Sequence, residues 1–440
     1  MRTVVTVTRR LVLAAAILAG SSPIVRASEP IEASVALPPS TPWDVRALSA
    51  APDFEWLDSD SPVRSLLFEG PPYKGFEKTR VFAYYATPGT LSGEASKDSN
   101  LPAVVLVHGG GGTAFKVWVE QWARRGYAAI AMDLAGSRPI DGRSPADLQG
   151  RIRLPDGGPD QHLVDKFDTI DRPLTEQWPY HAVANTILAH SLVRSFPEVD
   201  ASRTAVTGIS WGGYVTCMVA ALDHRFRAAV PVYGCGYLHE NAGARHIFER
   251  LGQVRTQRWV ELYDPSRYLP ACRVPIFFIN GTHDRAFPLD IYMKSVRAVP
   301  ASTPRNIRIG VNMRHSHPAG WEPQEIGMFI DHHLLGTAAL PTVRFQPVAA
   351  PADGSGTVSV KVWWDADDSL ELHSDAPVQL RYTVDGGAIH ERHWQAAAIE
   401  VEDFPHRTGL ARVPADATAW FFTVAFQPGA FVSSEVVIRQ

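Results

Sequence analysis

Cysteine is scarce in this chain: Cys217, Cys235 and Cys272 are the only three in 440 residues. They form no C-x-x-C pair and no Cys/His ligand spacing, which excludes a structural zinc site and a disulfide framework. They read as buried free thiols, with a Cys235–Cys272 bridge the pairing that an oxidising compartment leaves open. Clustered basic charge is missing too. No run of Lys or Arg exceeds two residues and the formal net charge is -4, so nothing resembles the electrostatic footprint of a nucleic-acid binder. Beyond Pro30 no apolar stretch is long enough to cross a bilayer. Four consecutive glycines, Gly109 to Gly112, invite a phosphate-cradle reading. However, no Gly-Lys-Ser/Thr follows, and the G-x-G-x-x-G spacing fails at Ala114. There is no internal repeat.

What is present begins with the N-terminus. A basic pair (Arg9, Arg10), an apolar run from Leu11 to Gly20 and the small-residue stop Val25-Arg26-Ala27 have the layout of a secretory signal cleaved after Ala27. The run "TRRLVL" loosely fits a twin-arginine signal. The expected chain is therefore exported, to the periplasm or beyond, with no integral membrane segment once the signal is removed.

The organisation expected is a signal peptide over 1–27, an N-terminal arm over 28–74, a catalytic domain over 75–338 and an accessory β-domain over 341–440. In the third of these, apolar runs such as "TRVFAYYA", "AVVLVH", "YAAIAMD", "TAVTGIS", "RAAVPVYG", "VPIFFING" and "NIRIGV" alternate with helical stretches. Several runs are continuously apolar, as strands covered on both faces are. This alternation predicts an α/β fold with a doubly wound, mostly parallel sheet. Two polar insertions, Leu134 to about Glu176 and Tyr237 to about Pro270, follow strand ends, where such sheets place their ligands. From about Pro341, short alternating strands without helix suggest an immunoglobulin-like sandwich.

The chemistry concentrates in four places. "TGISWGG" sets Ser210 in a G-x-S-x-G turn between a strand and a helix, which lifts a serine hydroxyl off the strand end. Asp284, in the loop after "VPIFFING", stands where the orienting acid belongs; Asp290, further on, is the weaker candidate. The base lies in "NMRHSHPAGW". His317 is preferred for its place on the turn, and His315 is assigned a supporting role. The opening glycines then find a use. Backbone amides stabilise the oxyanion of a tetrahedral intermediate, and Trp211 with Gly110 and Gly111 are the expected donors. Arg245 and Trp259, in the second insertion, are the expected substrate contacts. No metal and no cofactor is implied.

On His108-Gly109-Gly110-Gly111-Gly112, the Gly208–Gly212 elbow, Asp284 in "NGTHD" and His317 before "GWEPQEI", residues 75–337 resemble the α/β-hydrolase superfamily. "GISWGGY" and "PIFFINGTHDRAFP" are similar to the branch holding dienelactone hydrolases, acetyl xylan esterases and prolyl-oligopeptidase-type peptidases. The resemblance implies serine-nucleophile chemistry. Ser210 stands where dienelactone hydrolases carry cysteine, and the short stretch before residue 80 departs from the large N-terminal domain of the peptidases. The expectation is an exported serine esterase acting on a small or polymeric carbohydrate ester, of acetyl xylan type. A peptidase of the same fold, and a binding protein that has lost turnover, are the rivals. Oligomeric state is not legible.

Overall fold

The apolar runs fold as neighbouring strands. The computed structural model describes residues 36–146, 148–162, 164–348, 357–370, 372, 377–403, 407–426 and 429–439; the expected signal peptide over 1–27 lies outside them. Among the described residues nine strands share one sheet. In chain order they are β1 (Phe54–Asp58), β2 (Arg64–Gly70), β3 (Thr79–Ala86), β4 (Leu101–Val107), β5 (Ala128–Met132), β6 (Val199–Ile209), β7 (Ala228–Val232), β8 (Ile276–Gly281) and β9 (Arg305–Gly310). Across the sheet the order is β1-β2-β3-β5-β4-β6-β7-β8-β9. The pairs from β1 through β3 to β5 are antiparallel, and those from β5 to β9 are parallel.

The mostly parallel sheet is as the sequence predicts. The arm is not: residues 54–70 belong to the sheet as β1 and β2. Their strand signal is the one-sided burial of Leu66 and Phe68 beside the half-buried Ser65, Leu67 and Glu69, a pattern the Pro-rich surroundings obscure. The buried parallel strands require cover on both faces. Helices α1 (Lys116–Arg124), α2 (Trp178–Val193) and α3 (Trp211–Leu222) supply much of it. Because β4, β6, β8 and β9 are parallel, the loops that carry the glycine run, Ser210, Asp284 and the two histidines all leave one edge of the sheet. Cys217, Cys235 and Cys272 are buried free thiols. Among the described residues no helix is long and apolar enough to cross a membrane.

The first insertion contains a small hairpin, Ser137–Pro139 with Arg151–Arg153, and a wide helical turn, Val164–Asp168. The second is helical, with α4 (Arg245–Leu251) and α5 (Gln253–Tyr263). After α6 (Leu289–Ala298), a short α7 (His317–Trp321) and α8 (Gln324–Leu335) complete the α/β part.

Beyond it, nine further strands are described: β10 (Thr342–Pro347), β11 (Thr357–Asp365), β12 (Val378–Thr383), β13 (Gln395–Ala398), β14 (Glu400–Asp403), β15 (Thr408–Pro414), β16 (Ala419–Phe426), β17 (Ala430–Ser433) and β18 (Val437–Ile438). They form two antiparallel sheets, β10-β11-β15-β14 and β13-β12-β16-β17, with β18 beside β16. This all-β part packs along the β9 edge of the main sheet. The Ile309 amide of β9 donates to Ser433 Oγ at 2.9 Å. Buried Glu325 accepts from Arg308 Nε at 2.9 Å and from the Phe431 amide at 2.8 Å. An unpaired edge is a template for aggregation, and covering it removes that hazard.

Candidate active site

β6 ends at Ile209 and α3 starts at Trp211, which leaves Ser210 alone at the corner. Its backbone sits at φ 59° and ψ -117°. A non-glycine residue there is strained by the order of 1–3 kcal/mol, and such strain persists only where the surroundings enforce it. The neighbours enforce it by proximity. A Cβ on Gly208 would lie 2.3 Å from the Gly212 carbonyl oxygen, and one on Gly212 would lie 2.0 Å from that of Val107. The Ser210 amide donates to the Val232 carbonyl at 2.8 Å. Trp211, as the first residue of α3, has an amide with no acceptor inside the helix.

Asp284 is buried, and its Oδ1 accepts from the amides of Ala286 and Phe287 at 2.9 and 2.8 Å. Its Oδ2 receives the Nδ1–H of His315 at 2.6 Å. His315 Nε2 then accepts from the Ser210 hydroxyl at 2.9 Å. The structure therefore corrects the choice of histidine: His315 joins Asp284 to Ser210, and His317 does not. Ser316 caps α7, accepting from the Ala319 amide at 3.2 Å, so His317 is the first helical residue and turns toward the loop after β4. There its Nε2 accepts from the Gly109 amide at 3.0 Å, and its ring packs 4.5 Å from that of Phe115. Burial, with help from His108 and His315, lowers its pKa to about 3, so the ring stays neutral. His315 stays in the loop before the cap. Tyr233 packs against it, ring centroids 4.6 Å apart, and donates its hydroxyl to the Arg314 carbonyl at 2.8 Å. Asp290, the weaker acid candidate, lies in the first turn of α6.

The glycine loop is anchored at three points. His108 takes the Leu134 amide on Nε2 at 2.8 Å, so its Nδ1–H donates to the Gly109 carbonyl at 2.8 Å. His317 takes the Gly109 amide, and Arg151 Nη1 donates to the Gly112 carbonyl at 3.1 Å. The amides of Gly110 and Gly111 make no hydrogen bond among the described residues. Gly111 holds a left-handed φ of 78°, which favours glycine. Gly110 lies against Trp211: a Cβ there would sit 2.9 Å from the indole Cδ1. Of the expected oxyanion donors, Trp211 follows Ser210 directly and Gly110 packs on the Trp211 indole.

The expected substrate contacts are placed differently. Trp259 is fully buried, and its Nε1 donates to the Lys166 carbonyl at 2.8 Å, so it joins the two insertions. Arg245 is exposed and lines an outer groove with His239, Phe248 and Glu249. Arg250 pairs with Asp168 at 3.1 Å. Three residues near the serine escaped the sequence reading: Tyr233, Arg151 and Lys166. Their contacts at the site, Arg314, Gly112 and Trp211, lie tens of residues away in sequence, and no local motif marks them.

Comparison with known proteins follows the same lines. The acetyl xylan esterase (AXE1) family model matches residues 44–249, and that of the prolyl oligopeptidase family matches residues 171–330. The acetyl xylan esterase from Paenibacillus sp. R4 superposes with a TM-score of 0.51 at 21% identity, over 66% of this chain and 92% of that one. The chain is an α/β-hydrolase. Both matching families lie in the branch whose motifs it shares, and both are hydrolases. Acetyl xylan esterase 1 from Thermoanaerobacterium sp. JW/SL YS485 gives a TM-score of 0.48 at 18% identity, covering 69% of this hydrolase and 96% of its own chain. The human acylamino-acid-releasing enzyme is 23% identical over 227 residues. That alignment takes in 47% of this chain and 27% of the human one, so the two share only part of their lengths.

Proposed function

We propose that this α/β-hydrolase is a serine esterase. The observation that carries the reading is the hydrogen-bonded line Asp284–His315–Ser210 at 2.6 and 2.9 Å, ending beside unpaired amides. Ser210 Oγ attacks the acyl carbonyl while His315 Nε2 takes the hydroxyl proton. Asp284 fixes the Nδ1–H tautomer and stabilises the imidazolium. The amides of Trp211 and of Gly110 or Gly111 receive the oxyanion, a contribution of about 10²–10³ in rate per donor. The tetrahedral intermediate then expels the alcohol, which takes the proton from His315. Water, activated by the same imidazole, hydrolyses the acyl-enzyme.

The substrate proposed is an O-acetylated or otherwise esterified carbohydrate, reached after export directed by residues 1–27. The acetyl xylan esterase match, the larger of the two in extent, supports the ester, and the polar insertions suit a glycan. A second reading, cleavage of an aminoacyl bond, draws on the prolyl oligopeptidase match, which spans all three triad positions. Purified protein assayed on p-nitrophenyl acetate and on alanyl-p-nitroanilide separates them. The expected result is ester hydrolysis that Ser210→Ala abolishes. Anilide cleavage at a comparable kcat/KM would favour the peptidase, and turnover surviving in Ser210→Ala would overturn the serine mechanism.

A further inference from the structure

The two insertions meet over the elbow and hold one side chain in place. Trp259 bonds the Lys166 carbonyl and stacks on Phe167, ring centroids 5.0 Å apart. Arg255 donates to the Asp168 carbonyl at 2.6 Å and pairs with Asp171 at 2.7 Å, while Arg250 takes Asp168. The turn Val164–Asp168 is thereby fixed, and Lys166 points inward, 6% exposed. Its ammonium lies 4.5 Å from the ring of Trp211 and 5.4 Å from that of Trp178. A Cβ on Gly110 would stand 3.7 Å from Nζ. The amine therefore borders both elements that would carry the oxyanion amides.

Among the described residues nothing else accounts for it. A buried charge costs several kcal/mol unless it is paired, and a cation–π contact returns only about 0.5–2 kcal/mol. Among the described residues Nζ has no hydrogen bond and no carboxylate within 4.0 Å. Asp160 is the acid whose charge it feels, and that carboxylate is held by Arg151 at 3.1 Å and His162 at 3.2 Å. Methionine would fill the same space without the electrostatic cost. We propose that Lys166 is a specificity-determining residue that binds a carboxylate carried by the substrate close to the scissile ester. The inference rests on the esterase reading and narrows it to esters of acidic molecules, such as sugars bearing a carboxyl group. With Arg151 engaged by Asp160 and Gly112, a single ammonium suits a monoanion better than a phosphate.

The test uses two matched pairs of esters. 4-Nitrophenyl hydrogen succinate against its methyl ester places the carboxylate in the acyl part. 4-Acetoxybenzoate against its methyl ester places it in the alcohol part. Wild type should favour the acid of one pair by at least about tenfold in kcat/KM, and the favoured pair reports the source. Lys166→Met and Lys166→Gln should each remove that preference, mainly through KM, while Lys166→Arg retains most of it. Burial and Arg151 bring the amine down to about 7, with Asp160 opposing and His108 nearby, so the preference should fade above neutral pH. The inference is overturned if folded Lys166→Met keeps the wild-type ratio, or if it slows acid and methyl ester alike, which would mark a contact to the reacting carbonyl. Turnover without any preference in wild type overturns it alone. A wild type inert toward all four esters overturns the esterase reading as well.

Discussion

His315 and His317 are two residues apart, yet the backbone sends them to different tasks. His315 precedes the Ser316 cap and faces Ser210 and Asp284; His317 opens α7 and grips the Gly109 amide. Removing a general base costs roughly 10²–10⁴ in rate. His315→Ala is accordingly expected to lower kcat on p-nitrophenyl acetate by about 10³ or more. His317→Ala should loosen the glycine loop and lower kcat by about tenfold, leaving the acid limb of the pH–rate profile where it is in wild type. The sequence did hold a signal for this division. Ser316 and Pro318 form an N-cap and a first-turn proline, which place His317 inside a helix. Ser210 and Asp284 were legible because each follows a strand whose final residues are buried, "TAVTGI" and "IFFING", and strand ends fix position without knowledge of distant partners. Lys166 and Trp259 were not legible for the opposite reason: their roles depend on packing between insertions some ninety residues apart.

At the scale of elements, the β6–α3 corner is packed backbone against backbone. Gly212 lies against β4 so closely that any side chain must move backbone, since its Cβ would be 2.0 Å from Val107 O. Overpacking costs typically about 1–3 kcal/mol where side chains alone yield, and here they cannot. Gly212→Ala is expected to fall at or beyond the top of that range, seen as a loss of soluble yield and of urea midpoint relative to wild type. The sequence reading recovered this corner because glycine at minus two and plus two around a serine is a local pattern. It missed β1 and β2 because β2 takes its place from β3 and β1 in turn from β2, and pairing of this kind is not written in an N-terminal stretch rich in proline.

For the whole molecule, the all-β part and the α/β part share hydrogen bonds through Ser433, Phe431 and Glu325. Strand alternation announced the β part, but not its seat on the β9 edge, which depends on side chains from both. Stability should also respond to acid as one system. His108, His181 and His190 are buried with pKa values lowered to about 4, and His317 to about 3, burial being the largest cause in each. The unfolded chain binds these protons near pH 6.5, so between that pH and 4 it holds more of them than the native state does. The stabilisation is complete above about pH 6.5 and is lost as pH falls. Urea midpoints should decline steadily from pH 7 to 4.5; a flat profile would show that these rings are not neutral in the native state.

The triad itself is tested most directly by covalent labelling. Wild type, Ser210→Ala, His315→Ala and His317→Ala would be treated with a fluorophosphonate and followed by intact mass and peptide mapping. The expected result is a single adduct on Ser210 in wild type and in His317→Ala, none in Ser210→Ala, and labelling slowed at least about a hundredfold in His315→Ala. An adduct on another residue, or rapid labelling in His315→Ala with none in His317→Ala, would contradict the assignment of Ser210, His315 and Asp284.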